Sequence, residues 1–350
     1  MEVLRAEVES VLKEIFVEER AANSHNAVQS EAIDVMENFV LGSGKRLRPL
    51  GLLSFYIGGG GQLTDPETKT KILRLAAAME LMHDSTLAVD DVMDEDEYRR
   101  NQKTVVKDLL DRYVSRRPDQ ITGKFLFTST ATNFASSVSV LIGNLLYCMS
   151  MKLCFGFPKY VIDEVVDLFV GLNYGQILDM SKLETYDEYI LNVKFKTAIF
   201  FKAIASIGLY LAGRSEEDIK VAQSWGDHFG IAFQMRVDLI DIDANSKMRK
   251  LGSDIKEGKR TAVVWTALQD GVLNAEEKTF TEEMLAKHEK AFDDKEMADK
   301  FLEILRGKPA EVMRKEISQH HNDAIEDLKR LNLTQPSFDF LKKLTDILLN

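Results

Sequence analysis

HDSTLAVDDVMDEDEYRR, residues 83–100, is the most informative stretch of the chain. On a helix, Asp90 and Asp94 lie one above the other on one face, with Asp91 beside them. Like charges at this spacing repel and do nothing for helix stability. A hard divalent cation reverses that penalty, because Mg²⁺ takes carboxylate oxygens, waters and substrate phosphates as ligands. Apolar residues between the acids favour a helix packed in the core over a solvated acidic face.

A second acidic group lies in FQMRVDLIDID, residues 233–243. Asp238 and Asp241 stand at i and i+3 on a strongly apolar helix, where buried carboxylates need a partner. That partner is either a base such as Arg236 in a core salt bridge or a metal ion held between the helices of a bundle. Two acidic faces on two apolar helices favour the metal site.

The rest of the chain has the pattern of helices. Segments such as 72–83 and 161–178 repeat apolar residues three and four positions apart. Alternating strand patterns with Asn-Gly or Asp-Gly turns are nearly missing. No stretch of linker composition divides the 350 residues. We therefore predict an all-α fold in a single domain over residues 1–350, with the motifs at about 40–265 and further helices at 270–350.

Composition argues against several other classes of protein. The formal net charge is −11, so the basic footprint of a nucleic-acid-binding protein is absent from the chain as a whole. Cys148 and Cys154 make neither a disulfide framework nor a zinc site. The most apolar window, 138–149, is too short and too polar for a transmembrane segment. The first residues have neither a signal-peptide nor a transit-peptide pattern, and we expect a cytoplasmic enzyme.

Basic residues are clustered at several separate points. The clusters are Lys45 and Arg48 in GSGKRLRPL (42–50), Arg99 and Arg100, Lys196 in KFKTA (194–198), and Lys250, Lys256 and Lys259 in KLGSDIKEGKRT (250–261). Arginine binds phosphate oxygens bidentately, and lysine offers a compact charge. Together with two acidic metal sites, these clusters predict a cavity for two diphosphates, one held through metal ions and the other directly by Arg and Lys.

This arrangement resembles the trans-type prenyl diphosphate synthases, the chain-elongating enzymes of isoprenoid biosynthesis. Six motifs match in order, namely GSGKRLRP, ELMHDSTLAVDDVMD followed by RR, GQILD at 175–179, KTA at 196–198, FQMRVDLID and KLGSDIKEGKRT. The resemblance implies an all-helical isoprenoid synthase bundle with a central substrate cavity. It also implies two or three Mg²⁺ ions as cofactor and a homodimer.

The resemblance further implies a role for each matching residue. The Mg²⁺ ligands would be Asp90, Asp91 and Asp94, together with Asp238 and Asp241 of the second motif. Isopentenyl diphosphate would bind at Lys45, Arg48 and His83, assisted by Arg100. The allylic diphosphate (dimethylallyl, geranyl or farnesyl) would bind at Arg99, Lys196 and Lys259, with Lys250 as a further candidate. Gln176 and Thr197 would line the reacting carbon, and Asp90, Asp91, Lys196, Thr197 and Gln234 are the catalytic candidates.

The implied reaction is a 1'-4 condensation of isopentenyl diphosphate with an allylic diphosphate to an all-trans product. Ionisation of the allylic diphosphate leaves an allylic cation and a diphosphate, whose charge metal ions and basic residues stabilise. Isopentenyl diphosphate then attacks through its double bond, and we expect the proton to pass to the released diphosphate.

The expected product is C20. In the family, an aromatic residue four or five positions before the first aspartate blocks growth at C15, and here those positions hold Thr86 and Ser85. Met82 and Met79 lie roughly 12 and 16 Å below Asp90 along the helix, near the length of the growing tail. Phenylalanine at Ser85 should shorten the product to C15.

Three departures and three alternatives accompany this prediction. Val237 stands where the second motif usually begins with an aspartate, Asn144 replaces an aspartate common after the family's glycine, and the stretch between Arg100 and Gly143 is longer than usual. The alternatives within the family are a farnesyl or longer-chain (C25 and above) synthase and an inactive regulatory subunit, which Val237 favours. A terpene cyclase or head-to-head coupling enzyme would share the acidic motifs, but a cyclase does not need a second diphosphate site at 42–50.

Overall fold

The computed structural model describes residues 1–42, 44–99, 101–116, 130–181, 183–243, 251–256, 259–287, 290 and 292–349. Its contacts group into two compact units, the first comprising 1–169 with 211–213 and the second comprising 170–210 with 214–350. In the described residues, the only strands are β1 (Tyr98–Arg99) and β2 (Gln102–Lys103), which form one antiparallel hairpin. The predicted all-α fold is confirmed, whereas a single domain stays a prediction.

Six helices lie entirely within the described part of the first unit. They are α1 (Glu2–Asn23), α2 (Ala27–Val40), α3 (Leu47–Gly58), α4 (Pro66–Met93), α5 (Val105–Arg116) and α6 (Thr130–Cys154). Helix α4 begins where Asp65 caps it, accepting a hydrogen bond from the Thr68 amide at 2.8 Å, with Pro66 at the first helical position. This helix is the longest in the described chain and carries the first acidic motif at its end.

Helix α6 packs closely along α4. The Ser139 and Ser150 hydroxyls donate to the carbonyls of Ala88 and Ala78, each at 2.8 Å. Among the described residues, α6 alone is long and apolar enough to cross a membrane by length and composition, and 44% of its most apolar window is buried. The apolar stretch 138–149 is thus part of a longer helix than we expected. Core helices pass the same test, and the absence of a transmembrane segment stays a prediction.

The second unit holds the remaining helices. Helix α7 (Lys159–Met180) continues into it, followed by α8 (Tyr186–Val193), a π-helical turn at Lys194–Ala198, α9 (Ile199–Leu211), α10 (Glu216–Asp241), α11 (Ser253–Lys256), α12 (Ala262–Leu268), α13 (Ala275–Lys287), α14 (Lys295–Arg306), α15 (Lys308–Arg330) and α16 (Gln335–Asp346). Helix α10 packs on α15. In the core of the second unit, Phe201 of α9 forms an aromatic cluster with Trp225 and Phe229 of α10. The C-terminal helices expected at 270–350 are therefore present.

Two glycines allow helices to approach the π-helical turn closely. A Cβ on Gly175 of α7 would lie 2.7 Å from the backbone nitrogen of Lys196, and one on Gly230 of α10 would lie 2.3 Å from the Cα of Ala198. Single π-helical turns inside helices often mark functional sites, because they reorient the side chains that follow. Here the turn coincides with the KFKTA motif, which is held between α7 and α10.

Candidate active site

The first acidic motif lies at the carboxyl end of α4. Asp90 and Asp91 are in the last helical turn, and Asp94 is the residue that follows the helix. The helix ends there because Glu95 adopts a left-handed φ of 55° and the Asp96 amide donates to the Asp91 carbonyl at 3.0 Å. The last turn contains no basic residue. Carboxylates at this negative end of the helix dipole are unfavourable unless a cation binds beside them.

Arg99 of the β-hairpin lies against these carboxylates. Its Nη2 is 2.6 Å from Asp91 Oδ1 and 3.5 Å from Asp90 Oδ2, and its Nε donates to Asp91 Oδ1 at 2.7 Å. The structure therefore brings together the predicted allylic diphosphate contact and two predicted metal ligands. Burial acts to lower the pKa of Arg99, but the charge of Asp91 raises it above its ordinary value overall. The guanidinium thus stays charged beside the acids.

Asp91 has the features of a metal ligand. Its side chain is completely buried, and no hydrogen-bond partner reaches its Oδ2 in the described structure. Burial raises the pKa of Asp91 to about 6, although Arg99 acts to lower it. A buried carboxylate oxygen without a donor is costly, and coordination by a cation would satisfy it.

Within the described residues, no three Asp, Glu, His or Cys side chains converge on a ready-made metal site. This is compatible with Mg²⁺, because that ion usually keeps several waters and binds through one or two carboxylates plus substrate phosphates. Asp90 and Asp91 supply this number of ligands, and the free Oδ2 of Asp91 fits the role. The donor set at the end of α4 therefore fits a divalent cation bound together with a diphosphate.

The predicted isopentenyl diphosphate residues lie in the same unit. Lys45 is exposed, Arg48 is half-buried just before the first buried turn of α3, and His83 is half-buried on α4. These exposures leave their side chains accessible to a ligand.

Arg46, which the sequence analysis did not single out, is a buried basic residue of this motif. It is 2% exposed, and its guanidinium donates to Glu9 at 2.7 Å, to Glu80 at 2.8 Å and to the Val40 carbonyl at 2.7 Å. Burial acts to lower the pKa of Arg46, but the Glu9 hydrogen bond and the Glu80 charge raise it overall. Arg46 also adopts a left-handed φ of 52°. Glu80 precedes His83 by one helical turn, so Arg46 holds Lys45 and Arg48 in register with α4.

The predicted chain-length residues differ in their surroundings. Met79 and Met82 are fully buried, and Ser85 is buried with its hydroxyl donating to the Met82 carbonyl at 2.6 Å. Thr86 is half-buried and shares a helix face with His83 and Asp90. Of the two small residues, Thr86 therefore lies on the face that carries the predicted site residues His83 and Asp90.

In the second unit, Lys196 is paired with an acid that the sequence analysis did not select. Its Nζ lies 2.5 Å from Asp179 Oδ2, and Asn192 donates to the other oxygen at 3.0 Å. Burial acts to raise the pKa of Asp179, but Lys196 and the hydrogen bonds lower it overall, so the pair is ionised. The sequence did contain a signal for Asp179. It is the last residue of the GQILD motif and lies one helical turn after the half-buried Gln176.

A hydrogen-bonded chain leads from the π-helical turn into the second acidic motif. The Thr197 hydroxyl donates to Gln234 Oε1 at 3.2 Å, and Gln234 Nε2 donates to Asp238 Oδ1 at 2.9 Å. Three of the predicted site residues are thus in direct contact. Burial raises the pKa of Asp238 to about 7, against the lowering effect of its hydrogen bonds.

Asp238 also accepts hydrogen bonds from two groups that lie far away in the sequence. The Tyr189 hydroxyl donates to its Oδ2 at 2.8 Å, and the Ala262 amide donates to the same oxygen at 2.7 Å. All of its donors in the described structure are neutral, so the salt bridge with Arg236 considered from the sequence is not what satisfies Asp238.

Asp241 holds the lysine-rich segment. Its carboxylate accepts from the Asp254 amide at 3.3 Å, and its carbonyl accepts from the Gly252 amide at 2.7 Å. Lys259 is half-buried, and its amide donates to the Asp254 carbonyl at 3.0 Å. Val237 is half-buried beside Asp238. Arg100 and Lys250, two further predicted substrate contacts, lie outside the described residues.

Known proteins are similar to this chain in sequence and in fold. The Polyprenyl synthetase family model matches residues 29–304. A geranylgeranyl pyrophosphate synthase of Geoglobus acetivorans is 32% identical over 274 residues, which is 75% of each chain. An octaprenyl diphosphate synthase of Escherichia coli is 27% identical over 66% of this chain and 64% of its own.

A solved structure of a geranylgeranyl pyrophosphate synthase from Corynebacterium glutamicum, complexed with isoprenyl diphosphate and magnesium, superposes with a TM-score of 0.83. It is 23% identical, and the match covers 98% of this chain and 97% of that one. The all-helical fold implied by the family resemblance is therefore confirmed.

Proposed function

The chain belongs to the polyprenyl synthetase family and is a prenyltransferase, and we propose that it elongates an allylic diphosphate with isopentenyl diphosphate to a C20 product. The observation that carries the proposal is the pair Asp90 and Asp91 at the negative end of α4, with Arg99 as their present cation. Such a site needs positive charge, which Mg²⁺ ions bound together with a diphosphate would supply.

The allylic diphosphate binds between acids and bases. Asp90 and Asp91 would hold Mg²⁺, which when bound stabilises the negative charge that develops on the leaving diphosphate. Arg99 exchanges its carboxylate partners for phosphate oxygens, which a guanidinium binds bidentately. Lys196 of the second unit, kept protonated and oriented by Asp179, is proposed to bind diphosphate oxygens.

Isopentenyl diphosphate binds at the second basic cluster. Lys45 and Arg48 supply the charges, and His83 lies two helical turns before Asp90 on the same face of α4. Arg46 anchors the chain between Lys45 and the first turn of α3, where Arg48 lies. With both diphosphates held, the double bond of one substrate is positioned against the ionising carbon of the other, which lowers the entropic part of the barrier.

Polar groups of the second unit are suited to stabilise a carbocation. The Thr197 hydroxyl and Gln234 amide carry partial charges that would stabilise an allylic cation. After the new bond has formed, the proton is expected to pass to the released diphosphate.

The product length is proposed from both the chain and its relatives. Thr86 and Ser85 are small, which leaves room for a tail longer than C15. The Geoglobus acetivorans relative is named a geranylgeranyl pyrophosphate synthase, which supports C20, while the octaprenyl diphosphate synthase shows that longer products occur among relatives.

The proposed enzyme is a homodimer. Helix α6 buries one side against α4, but Leu141 and Leu145 on its other side are 58% and 43% exposed, with Phe134 and Cys148 also exposed. These residues follow one another at helical spacing, and an unpaired apolar helix face of this kind is typical of an interface. Replacing Leu141 and Leu145 with Glu should convert the dimer into a monomer in sedimentation experiments.

One incubation tests the catalytic proposal. Purified protein is supplied with Mg²⁺, isopentenyl diphosphate and dimethylallyl, geranyl or farnesyl diphosphate in turn, and the products are separated by chain length. We expect C20 as the main product. No elongation with any primer would instead favour the regulatory-subunit alternative.

A further inference from the structure

The Asp238 carboxylate accepts hydrogen bonds from three donors, which belong to three different helices. The Tyr189 hydroxyl comes from α8, the Ala262 amide begins α12, and Gln234 Nε2 belongs to α10. Asp238 is 2% exposed, so little solvent reaches it. The two oxygens share three well-formed hydrogen bonds, with donor–acceptor distances of 2.7–2.9 Å.

Asp91 provides an instructive comparison. Both aspartates are buried in the last turn of a long helix. Among the described residues no donor reaches Oδ2 of Asp91, whereas both oxygens of Asp238 accept hydrogen bonds. An ionised carboxylate offers about four lone-pair sites, and three are already used at Asp238. A metal ion at Asp238 would have to displace donors that are themselves buried, which is costly.

One of these hydrogen bonds fixes the start of α12. The Ala262 amide belongs to the first residue of this helix, and the preceding Thr261 makes no side-chain capping bond. Asp238 therefore caps α12 from a distance of 24 residues in the chain. Because α12 begins directly after the segment that carries Lys259, the cap also determines where that segment ends.

The other oxygen orients Gln234. Since the Gln234 amide nitrogen donates to Asp238, its oxygen must face Thr197, whose hydroxyl donates to it. Thr197 follows Lys196 in the π-helical turn. Asp238 is thus connected on one side to the lysine-rich segment and on the other to the turn that holds Lys196 and Thr197.

We propose that Asp238 and Tyr189 are positioning residues that join these two parts of the substrate site, and that Asp238 does not hold the metal. Tyr189 fixes the carboxylate, and the carboxylate fixes the Ala262 amide and the Gln234 side chain. The metal function then belongs to the first acidic motif. This inference rests on the proposed function for its kinetic consequences, but its structural part does not depend on it.

The test compares Tyr189→Phe and Asp238→Asn with two controls. Tyr186→Phe removes the neighbouring hydroxyl, which donates to Glu316 rather than to Asp238 although the two rings stack at 6.0 Å. Asp91→Asn removes a proposed metal ligand. Binding of Mn²⁺ in the presence of inorganic diphosphate is followed by electron paramagnetic resonance, hydrogen exchange reports the Ala262 amide, and kinetics report the KM for the allylic substrate and kcat.

We expect Tyr189→Phe and Asp238→Asn to speed exchange at Ala262 and to lower kcat/KM for the allylic substrate about tenfold or more, because even a small displacement of substrate-positioning groups can have a larger effect than this. Both should leave the number and affinity of Mn²⁺ ions unchanged, whereas Asp91→Asn should weaken Mn²⁺ binding. Tyr186→Phe should leave the exchange rate at Ala262 and Mn²⁺ binding unchanged.

Two results would overturn the proposal. One is loss of a Mn²⁺ ion in Asp238→Asn comparable to the loss in Asp91→Asn. The other is tighter Mn²⁺ binding in Tyr189→Phe, which would show that the hydroxyl competes with metal for Asp238. If Asp238→Asn fails to fold, Tyr189→Phe still decides the question. If the unmodified enzyme elongates no primer, the proposed function fails, but Mn²⁺ binding and Ala262 exchange still test the positioning role.

Discussion

Gly143 of α6 lies so close to Ser85 of α4 that a Cβ on the glycine would stand 2.9 Å from the Ser85 carbonyl oxygen. The same Cβ would lie 2.6 Å from a methyl group of Val89. The buried Ser85 thus lies where α4 and α6 approach each other closely, while Thr86 is half-buried on the face that also carries His83. The contact with Gly143 therefore distinguishes Ser85 from Thr86, although the sequence alone gives both positions the same predicted role.

Thr86→Phe is therefore expected to shorten the main product from C20 to C15, because the ring would occupy the face below Asp90. Ser85→Phe, the change suggested by the sequence, is expected mainly to lower stability, since overpacking typically costs about 1–3 kcal/mol. Product analysis and urea unfolding of both variants check this, with Thr86→Val as the control of similar volume. An unchanged product in Thr86→Phe would show that the tail does not follow this helix face.

Activity is expected to depend absolutely on a divalent metal. Asp90→Ala or Asp91→Ala should lower kcat by at least a hundredfold, roughly 2.7 kcal/mol, because the charge on the leaving diphosphate loses its counter-ion. Asp163→Ala, which removes an exposed acid paired with Lys159, should leave kcat unchanged. Full turnover in excess chelator would contradict the prediction.

Val237→Asp should lower the Mg²⁺ concentration that gives the half-maximal rate. The new carboxylate would stand beside Asp238, in the half-buried position where the second motif usually begins with an acid. Val237→Asn tests polarity without charge and should not have this effect. A Mg²⁺ requirement that stays the same or rises in Val237→Asp would show that position 237 does not face the metal.

Arg46→Met should destabilise the fold strongly. It leaves the buried Glu80 without its cation, and breaking a buried pair in this way typically costs about 3–5 kcal/mol. Arg74→Met removes the more exposed pair with Glu18 and should cost less than about 1 kcal/mol. The free energies of unfolding in urea measure both, and equal losses would show that the Arg46 cluster contributes no more than a surface ion pair.

Stability should fall as the pH is lowered through the range of an unperturbed histidine. Burial, helped by the nearby His228 and Lys194, lowers the pKa of His320, although Glu316 and Asp323 act to raise it. The unfolded chain therefore takes up the proton more readily, so this contribution is complete well above pH 6.5 and is lost as the pH falls below that value.

Urea unfolding at pH 7.5 and 5.5 tests this, and the drop in unfolding free energy should be smaller in His320→Gln than in the unmodified protein. Replacing the exposed His25 with Gln should leave the drop unchanged. The same drop in all three proteins would assign the pH dependence to other groups.

The features that depend on residues close together in the chain could be predicted from the sequence. Every helix places residues three and four positions apart on one face. This rule is enough to predict the apolar faces of the helices and the grouping of the acids at positions 90 and 91 and at positions 238 and 241. The six motifs and their order along the chain also identified the family, because together they specify which charged and polar groups the chain contains. Asp94 marks the limit of this reasoning, since Glu95 ends the helix there by adopting a left-handed conformation that its residue type does not predict.

Only the tertiary structure decided which of these groups meet. Arg46 is buried because Glu9 and Glu80 reach it from two other helices, and Tyr189 and Ala262 reach Asp238 from 49 and 24 residues away. Ser85 and Thr86 are neighbours with similar small side chains, yet Ser85 is buried where Gly143 of α6 approaches its carbonyl, and Thr86 is half-buried. Such contacts follow from how helices pack, and a donor that is distant in the chain has no periodic signal to reveal it.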